Sequence, residues 1–350
     1  MISTGGAARP TGGDQRLGSR SPAFGITVAG LAVALTLSLV FAGTVGAVEV
    51  PWQTAISAIG TDPHSWGAGE IILLQVRIPR VLTAACVGAG LALSGVALQT
   101  TLRNPLAEPY LLGVSSGASL GAVSVILLGF TIALPFAAFF GGVLALSITL
   151  LLSGSRRTPS SERVILAGVA TTALFGAVTS LTIFQSPDSD SYRQVLHWLL
   201  GSLSGSNWTS VAIGGLTLLV FGTALFASAR LLGAFKLGDD DIQSLGINVR
   251  SSRIWVLSLS ALVAAGMVSI SGSIGFVGLI VPHLARPFAA GSITKHLTAA
   301  GLIGALLLTW ADTFSRVVAH PQELPVGITT SVLGAGAFGV IMFRQQRRES

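Results

Sequence analysis

The feature that leaves this chain the fewest options is a succession of ten long apolar runs, at 24–47, 79–98, 111–130, 133–153, 164–184, 210–229, 254–272, 274–291, 297–318 and 326–343. A helix of about 20 apolar residues crosses the hydrocarbon layer of a bilayer, so each run has the size of a transmembrane helix. Short segments join the runs, and no separate soluble domain has room. Composition agrees: 51% hydrophobic residues, 10% charged and a mean hydropathy of +0.76 describe a chain whose solvent is lipid. The expected fold class is therefore an all-α integral membrane protein of about ten transmembrane helices, forming a single domain over 23–345. The Gly-, Ser- and Arg-rich start, Met1 to Pro22, lacks the apolar residues for a packed core and reads as a disordered cytoplasmic tail. The first run exceeds the roughly 7–15-residue apolar region of a signal peptide and reads as a retained helix.

Charge sets the orientation. With a cytoplasmic amino terminus, sixteen of the 20 Lys and Arg residues fall in inside segments, and only Arg77, Arg80, Arg193 and Arg316 fall outside. Both termini are then cytoplasmic. The sequence pI of 10.6 reflects this loop bias rather than a nucleic-acid surface. Cys86 is the only cysteine, so neither an intrachain disulfide nor a thiolate metal site is available. His64, His197, His283 and His320 are too scattered for one metal site, and no metal ligand set is assigned.

Three segments break the apolar pattern. In "RNPLAEPYLLGVSSGASLGA", Arg103 to Ala122, Asn104, Pro105, Glu108 and Pro109 should turn the chain between the second and third spans. From Gly113 onward, small residues including Ser116 and Gly117 let neighbouring backbones approach closely, in dense packing that is compatible with bordering a pathway. "GVSSG" formally matches a hydrolase elbow, but no strand precedes it, and no catalytic residue is assigned. "SISGSIGFVG" leaves almost no loop, so Gly272 and Gly275 are candidate breaks inside the membrane. Ser186 to Trp208 is too polar to face lipid and should hold a short amphipathic helix at the outer face. "LRNPLA" at 102–107 and "LARPFA" at 284–289 hint at an internal repeat, which a shared way of ending a helix explains equally well.

"KLGDDDIQSLGINVRSSR", Lys236 to Arg253, is the most charged inside loop. It reads as a short helix with Asp239, Asp240 and Asp241 in the first turn, where the helix dipole favours anions. Ile242 and Leu245 would form an apolar face, and Gly246 would end the helix. A docking helix for a soluble partner explains that face better than a solvated linker does.

The stretches "RIPRVL", "GLALSGVALQTTLRNPLAEPYLLGVSSGASLGA", "LGDDDIQSLGINV", "GSIGFVGLIVPHLAR" and "ADTFSR...ELPVGITTSVLGAGAF" together resemble the permeases of ABC importers for iron-siderophores, vitamin B12 and haem, the FecCD type. The resemblance runs from about Phe24 to Phe343 and implies the type II ABC importer permease architecture. Further implications are a second permease copy or paralogue, two cytoplasmic ATPase subunits, an extracytoplasmic substrate-binding protein and a metal-chelate cargo. The coupling segment, about 236–253, would include Leu237, Gly238, Asp239, Asp240, Asp241, Ile242, Leu245 and Gly246. Arg77 and Arg316 match positions where relatives receive acidic residues of the binding protein, and Arg80 lies one turn from Arg77. A further arginine that relatives often have before "RIPR" is missing from Val48 to Gln75. Asp312 lies four residues before Arg316, so those two could instead neutralise each other.

In relatives the pathway runs between two permease copies, lined by the fifth and tenth spans with the fourth-to-fifth loop as gate. Here those parts offer the hydroxyls of Ser160, Ser161, Thr171, Thr172, Thr329 and Thr330, which either face the passage or bond their own helix backbone. The chain lacks G-x-x-x-x-G-K-[ST], so ATP and Mg belong on the partner ATPase and this chain should bind no cofactor. A self-sufficient secondary transporter would need an intramembrane acid, and Asp312 is the one clear candidate.

Overall fold

The computed structural model describes residues 22–46, 53–54, 66–128, 133–154, 160–186, 189–289, 291–319 and 322–349, with side chains from Phe24 to Gly339 except those of Ser189 and Asp190. The expected tail before Pro22, as well as Arg156, Arg157, His64 and His320, lies outside the described residues.

Each apolar run contains a helix. With three short helices between the runs, α6, α8 and α9, the order is α1 (Pro22–Thr44), α2 (Ala68–Leu102), α3 (Val114–Leu128), α4 (Leu134–Leu152), α5 (Ser161–Phe184), α6 (Ser189–Leu199), α7 (Trp208–Ala227), α8 (Ala229–Ala234), α9 (Asp239–Ser244), α10 (Val249–Ser271), α11 (Val277–Ala285), α12 (Ile293–Val317) and α13 (Val326–Glu349). Seven of them, α1, α2, α4, α5, α7, α10 and α12, are long and apolar enough to cross a membrane. The third run yields only the 15 residues of α3, and the eighth only the nine of α11. At 1.5 Å per residue, α11 reaches about halfway through the hydrocarbon. The eighth run is thus a half-helix rather than a full span. The sequence expectation of a break near Gly272 accounts for it: α10 ends there at φ 67°, which glycine adopts without strain, and α11 starts only after Phe276.

The polar stretch after α5 forms α6, in line with the amphipathic helix expected there. The two hexamers diverge in shape: Arg103 closes α2 with a left-handed residue, whereas Arg286–Phe288 closes α11 in a 3-10 turn. No common repeat geometry links them.

Packing explains the glycines. α2 is the central helix, buried along most of its length against α12, α10 and α11. A methyl group at Gly88 would overlap the Gly304 carbonyl, and one at Gly95 the Gly278 carbonyl. In the same way Gly117 and Gly121 of α3 face Gly141 and Ala137 of α4, two small-xxx-small faces pressed together. Between helices in lipid the hydrophobic effect contributes little, so this close approach supplies dispersion contact in its place. α1 stands at the edge with Ile26, Val33, Leu37 and Val40 exposed. It is tied to α12 by Trp310, which donates to Ser38 Oγ at 3.0 Å and stacks on Phe41.

Candidate functional site

At one end of the bundle, α9 is held against the spans by a single carboxylate. Gly238, at φ 133°, turns the chain into it. Asp239 accepts hydrogen bonds from Arg253 Nη2 at 2.8 and 3.0 Å and from Arg103 Nη2 at 2.8 Å. Arg253 belongs to α10, is buried and lies over the Phe235 ring, while Arg103 follows the last turn of α2. α9 is therefore stapled to two of the most buried spans. Ile242 completes the attachment from inside, fully buried in the core.

This corrects one expectation. Ile242 and Leu245 do not share an outward face, because the helix turns Ile242 into the bundle. Leu245 points outward with a neighbour from the preceding turn: Leu237 and Leu245 are 60% and 61% exposed, flanking exposed Asp240 and Asp241. Two bare leucines thus flank a rigidly mounted six-residue helix that exposes two acids.

The other end holds the arginines. Arg80 clasps Asp312 through Nε at 3.1 and 3.0 Å and Nη2 at 2.9 Å, and its Nη1 reaches Glu323 at 2.6 Å. Arg316 Nε lies 3.4 Å from Asp312, within ion-pair range but not aligned for a hydrogen bond. Its Nη atoms donate to the carbonyls of Ala42 and Val45, both at 2.9 Å, and Arg77 Nη1 donates to Thr44 O at 2.7 Å. Two cations thus satisfy the free carbonyls at the carboxyl end of α1, where the helix dipole favours positive charge.

All three arginines are no more than 6% exposed. The docking role expected for Arg77, Arg80 and Arg316 is corrected accordingly: their forks are spent on α1 carbonyls, Asp312 and Glu323 inside the chain and are not offered to a partner. The local Asp312–Arg316 pairing foreseen in the sequence exists, but Arg80 from the second span takes the better geometry.

Between the two ends, the proline-rich turn and the broken helix meet. Asn104 Oδ1 accepts from Leu106 N at 2.9 Å, Pro105 is exposed, and Pro109 opens a 3-10 turn to Leu112 that Gly113 closes. A 3-10 turn rather than a strand precedes "GVSSG", and Ser116 Oγ donates to its own Gly113 carbonyl at 2.9 Å. Ser115 Oγ pairs with Ser273 Oγ at 2.8 Å. Tyr110 satisfies both backbone groups of Ile274: its hydroxyl donates to the carbonyl at 2.7 Å and accepts from the N–H at 2.8 Å. An opened backbone at membrane depth needs such partners, since lipid offers none. The same break reaches the start of α13 through a knot of close backbones: Ser202 N donates to Ser271 O at 2.8 Å and Gly327 N to Gly201 O at 3.2 Å.

The FecCD transport family matches residues 31–344 of this sequence. This chain belongs to that family. Among FecCD relatives, the hemin transport system permease protein of Yersinia pestis is 35% identical over 91% of this chain and 96% of its own length. The Fe(3+) dicitrate transport system permease protein of Escherichia coli (strain K12) is also 35% identical, over 90% of this chain and 99% of its own. A solved structure described as an inward-facing conformation of a metal-chelate type ABC transporter superposes with a TM-score of 0.81 at 32% identity, covering 91% of this chain and 99% of that one. The FecCD fold of this chain is the type II ABC importer permease architecture, and it is a multi-pass membrane protein.

Within the FecCD frame the expected pathway hydroxyls separate. Thr171 is buried, donates to Ala167 O at 2.9 Å and accepts from Thr149 at 3.0 Å. Thr329 meets Ser315 Oγ at 2.7 Å, and Thr330 donates to Gly327 O at 3.1 Å. These three are corrected from passage lining to internal bonding. Ser160 is the N-cap of α5, accepting from Arg163 N, and Ser161 is half-buried. Of the six, Ser160 and Thr172 are exposed, and α5 also exposes Leu166, Val169 and Leu174. Val332 and Leu333 are exposed on α13. Sequence reasoning missed Tyr110 and Glu323: a lone tyrosine after proline and a loop glutamate carry no periodic signal, and their partners lie 164 and 243 residues away.

Proposed function

We propose that this chain is the membrane-spanning subunit of an ATP-driven importer that moves an iron(III)-siderophore, or a similar metal chelate, into the bacterial cytoplasm across the plasma membrane. The observation that carries the reading is the α9 surface. Leu237 and Leu245 stand bare beside Asp240 and Asp241, while Asp239 locks their helix to α2 and α10. A helix mounted this way transmits a push from a soluble subunit into the buried centre of the bundle instead of absorbing it in a loop. The α9 end faces the cytoplasm, consistent with the sixteen-to-four bias of basic residues, and both termini lie on that side.

The assembly contains a second permease copy or paralogue, two ATPase subunits that bind ATP and Mg, and an extracytoplasmic binding protein. Binding and hydrolysis of ATP shift the ATPase pair. Differential contact at α9 then biases the spans between inward-open and outward-open states. The exposed faces of α5 and α13, mainly apolar with few polar groups, suit loose passage of a bulky chelate between two copies. The hemin relative keeps haem as a second cargo reading, with cobalamin beside it.

The test is the pair Leu237→Ser and Leu245→Ser in the complete transporter. Both side chains are largely exposed, so the subunit should insert and fold normally. ATP-driven uptake should fall roughly tenfold or more, as when the apolar centre of an interface is removed. Uptake equal to that of the unaltered transporter would refute the assignment of α9 as the coupling element.

A further inference from the structure

Two adjoining cavities lie on the face between α4 and α7, away from the α9 surface and lined by no residue of α5 or α13. The first, about 300 Å³, is an apolar groove walled by Phe136, Phe139, Leu216 and Val220, with Gly266 of α10 at its floor. The second, about 530 Å³, continues from it, sharing Pro135, Phe136, Ile213 and Ser269, and adds the polar side chains of Gln194, His197, Asn207 and Ser210 to a wall that is otherwise mainly apolar. Both volumes fall within the roughly 300–1,000 Å³ of ligand pockets.

The change from apolar to polar comes where both walls begin. The polar cavity is bounded by Leu134 to Phe136 in the first turn of α4 and by Asn207 to Ser210 around the start of α7. Both helices are membrane-spanning, so their first turns mark the boundary of the hydrocarbon. Trp198 and Trp208 stand at this level, as tryptophans do at a bilayer interface. The groove below is therefore at acyl-chain depth and the cavity above it at head-group depth.

We propose that this compound groove is a binding site for one phospholipid of the surrounding bilayer, with an acyl chain laid along α7 and the head group under α6. Among the described residues the polar lining contains no Asp, Glu, Lys or Arg, so it suits a head group with no net charge, the zwitterionic class. Gln194 and His197 of α6 make no hydrogen bond with the described residues and are available to the head group. Ser202 and Ser204 bond each other at 3.0 Å at the rim. A lipid seated here would tie α6 to α4 and α7 next to the Ser202–Ser271 backbone bond, both of whose residues line the cavity.

The experiment uses the full chain in vesicles of anionic phosphatidylglycerol containing a trace of zwitterionic phosphatidylethanolamine with a diazirine in its acyl chain, followed by peptide mapping after illumination. Cross-links on 135–139 and 213–221 should exceed those on the exposed face of α1 roughly fivefold per residue, what one or two head-group hydrogen bonds supply. The pair Leu216→Trp and Val220→Trp, at lipid-exposed positions that tolerate bulk, should bring labelling down to the α1 level. The pair Gln194→Ala and His197→Ala should do so for phosphatidylethanolamine while leaving a diazirine-labelled diacylglycerol unchanged. Labelling of the groove equal to that of α1 in the unaltered chain would overturn the site. Peptide-to-peptide cross-links bridging two copies through these residues would also overturn it, by giving the groove to a subunit interface.

Discussion

Replacing Asp312 by alanine should destabilise the protein by about 3–5 kcal/mol, the cost of stranding buried charge by removing one partner. Asp312 is 1% exposed and is the only acid touching both Arg80 and Arg316 among the described residues. Without it, Arg80 keeps only Glu323, and Arg316 keeps only α1 carbonyls and the Thr313 hydroxyl. The damage should spread to α1, whose carboxyl end is held by Arg316 and Arg77. Thermal unfolding in detergent is the direct measurement, with a large fall in midpoint expected. Replacing both Arg80 and Asp312 by apolar residues of similar volume should cost less than losing Asp312 alone, because only Arg316 is then left short of its buried acid. A single substitution as mild as the double one would show that the network is not a structural tie.

The second large effect is expected at Gly95. A methyl group there meets the backbone oxygen of Gly278, an obstacle that cannot rotate away, so α2 and α11 must move apart. Gly95→Ala should therefore cost at least about 1–3 kcal/mol, the usual range for overpacking. Gly30→Ala on α1 supplies the control. Nothing lies within 4 Å of its added carbon, and alanine's helix preference should leave stability unchanged or raised by up to about 1 kcal/mol. Thermal unfolding of the two variants side by side checks this. Equal midpoints would mean that the close approach of α2 and α11 does not matter energetically.

These expectations show which parts of the structure were legible in the sequence. The apolar runs were, because about 20 lipid-soluble residues in a row have one backbone solution, the helix. The break at Gly272 was visible as crowded small residues without a loop. How the break is kept satisfied was not, since Tyr110 reaches Ile274 across 164 residues of chain. Asp312 and Arg316 announced themselves by helical spacing, yet Arg80, 232 residues away from Asp312, wins the better bonds because α2 and α12 pack face to face. At α9 the composition read correctly and the rotation did not: with six residues, which leucine or isoleucine faces inward depends on the Asp239 staple rather than on periodicity. The hydroxyls of Thr171, Thr329 and Thr330 illustrate the same limit, because small polar residues in a membrane helix look alike whether they face a passage or bond a carbonyl.

The central claim is that this chain is a gate driven by another subunit's ATPase. Its most direct test is uptake of a labelled ferric siderophore into proteoliposomes containing the purified chain, with and without an ATPase subunit and a binding protein of the same importer class. The account predicts uptake only with the complete assembly and ATP, and none by the chain alone under a proton or sodium gradient. Gradient-driven accumulation by the chain alone would contradict it.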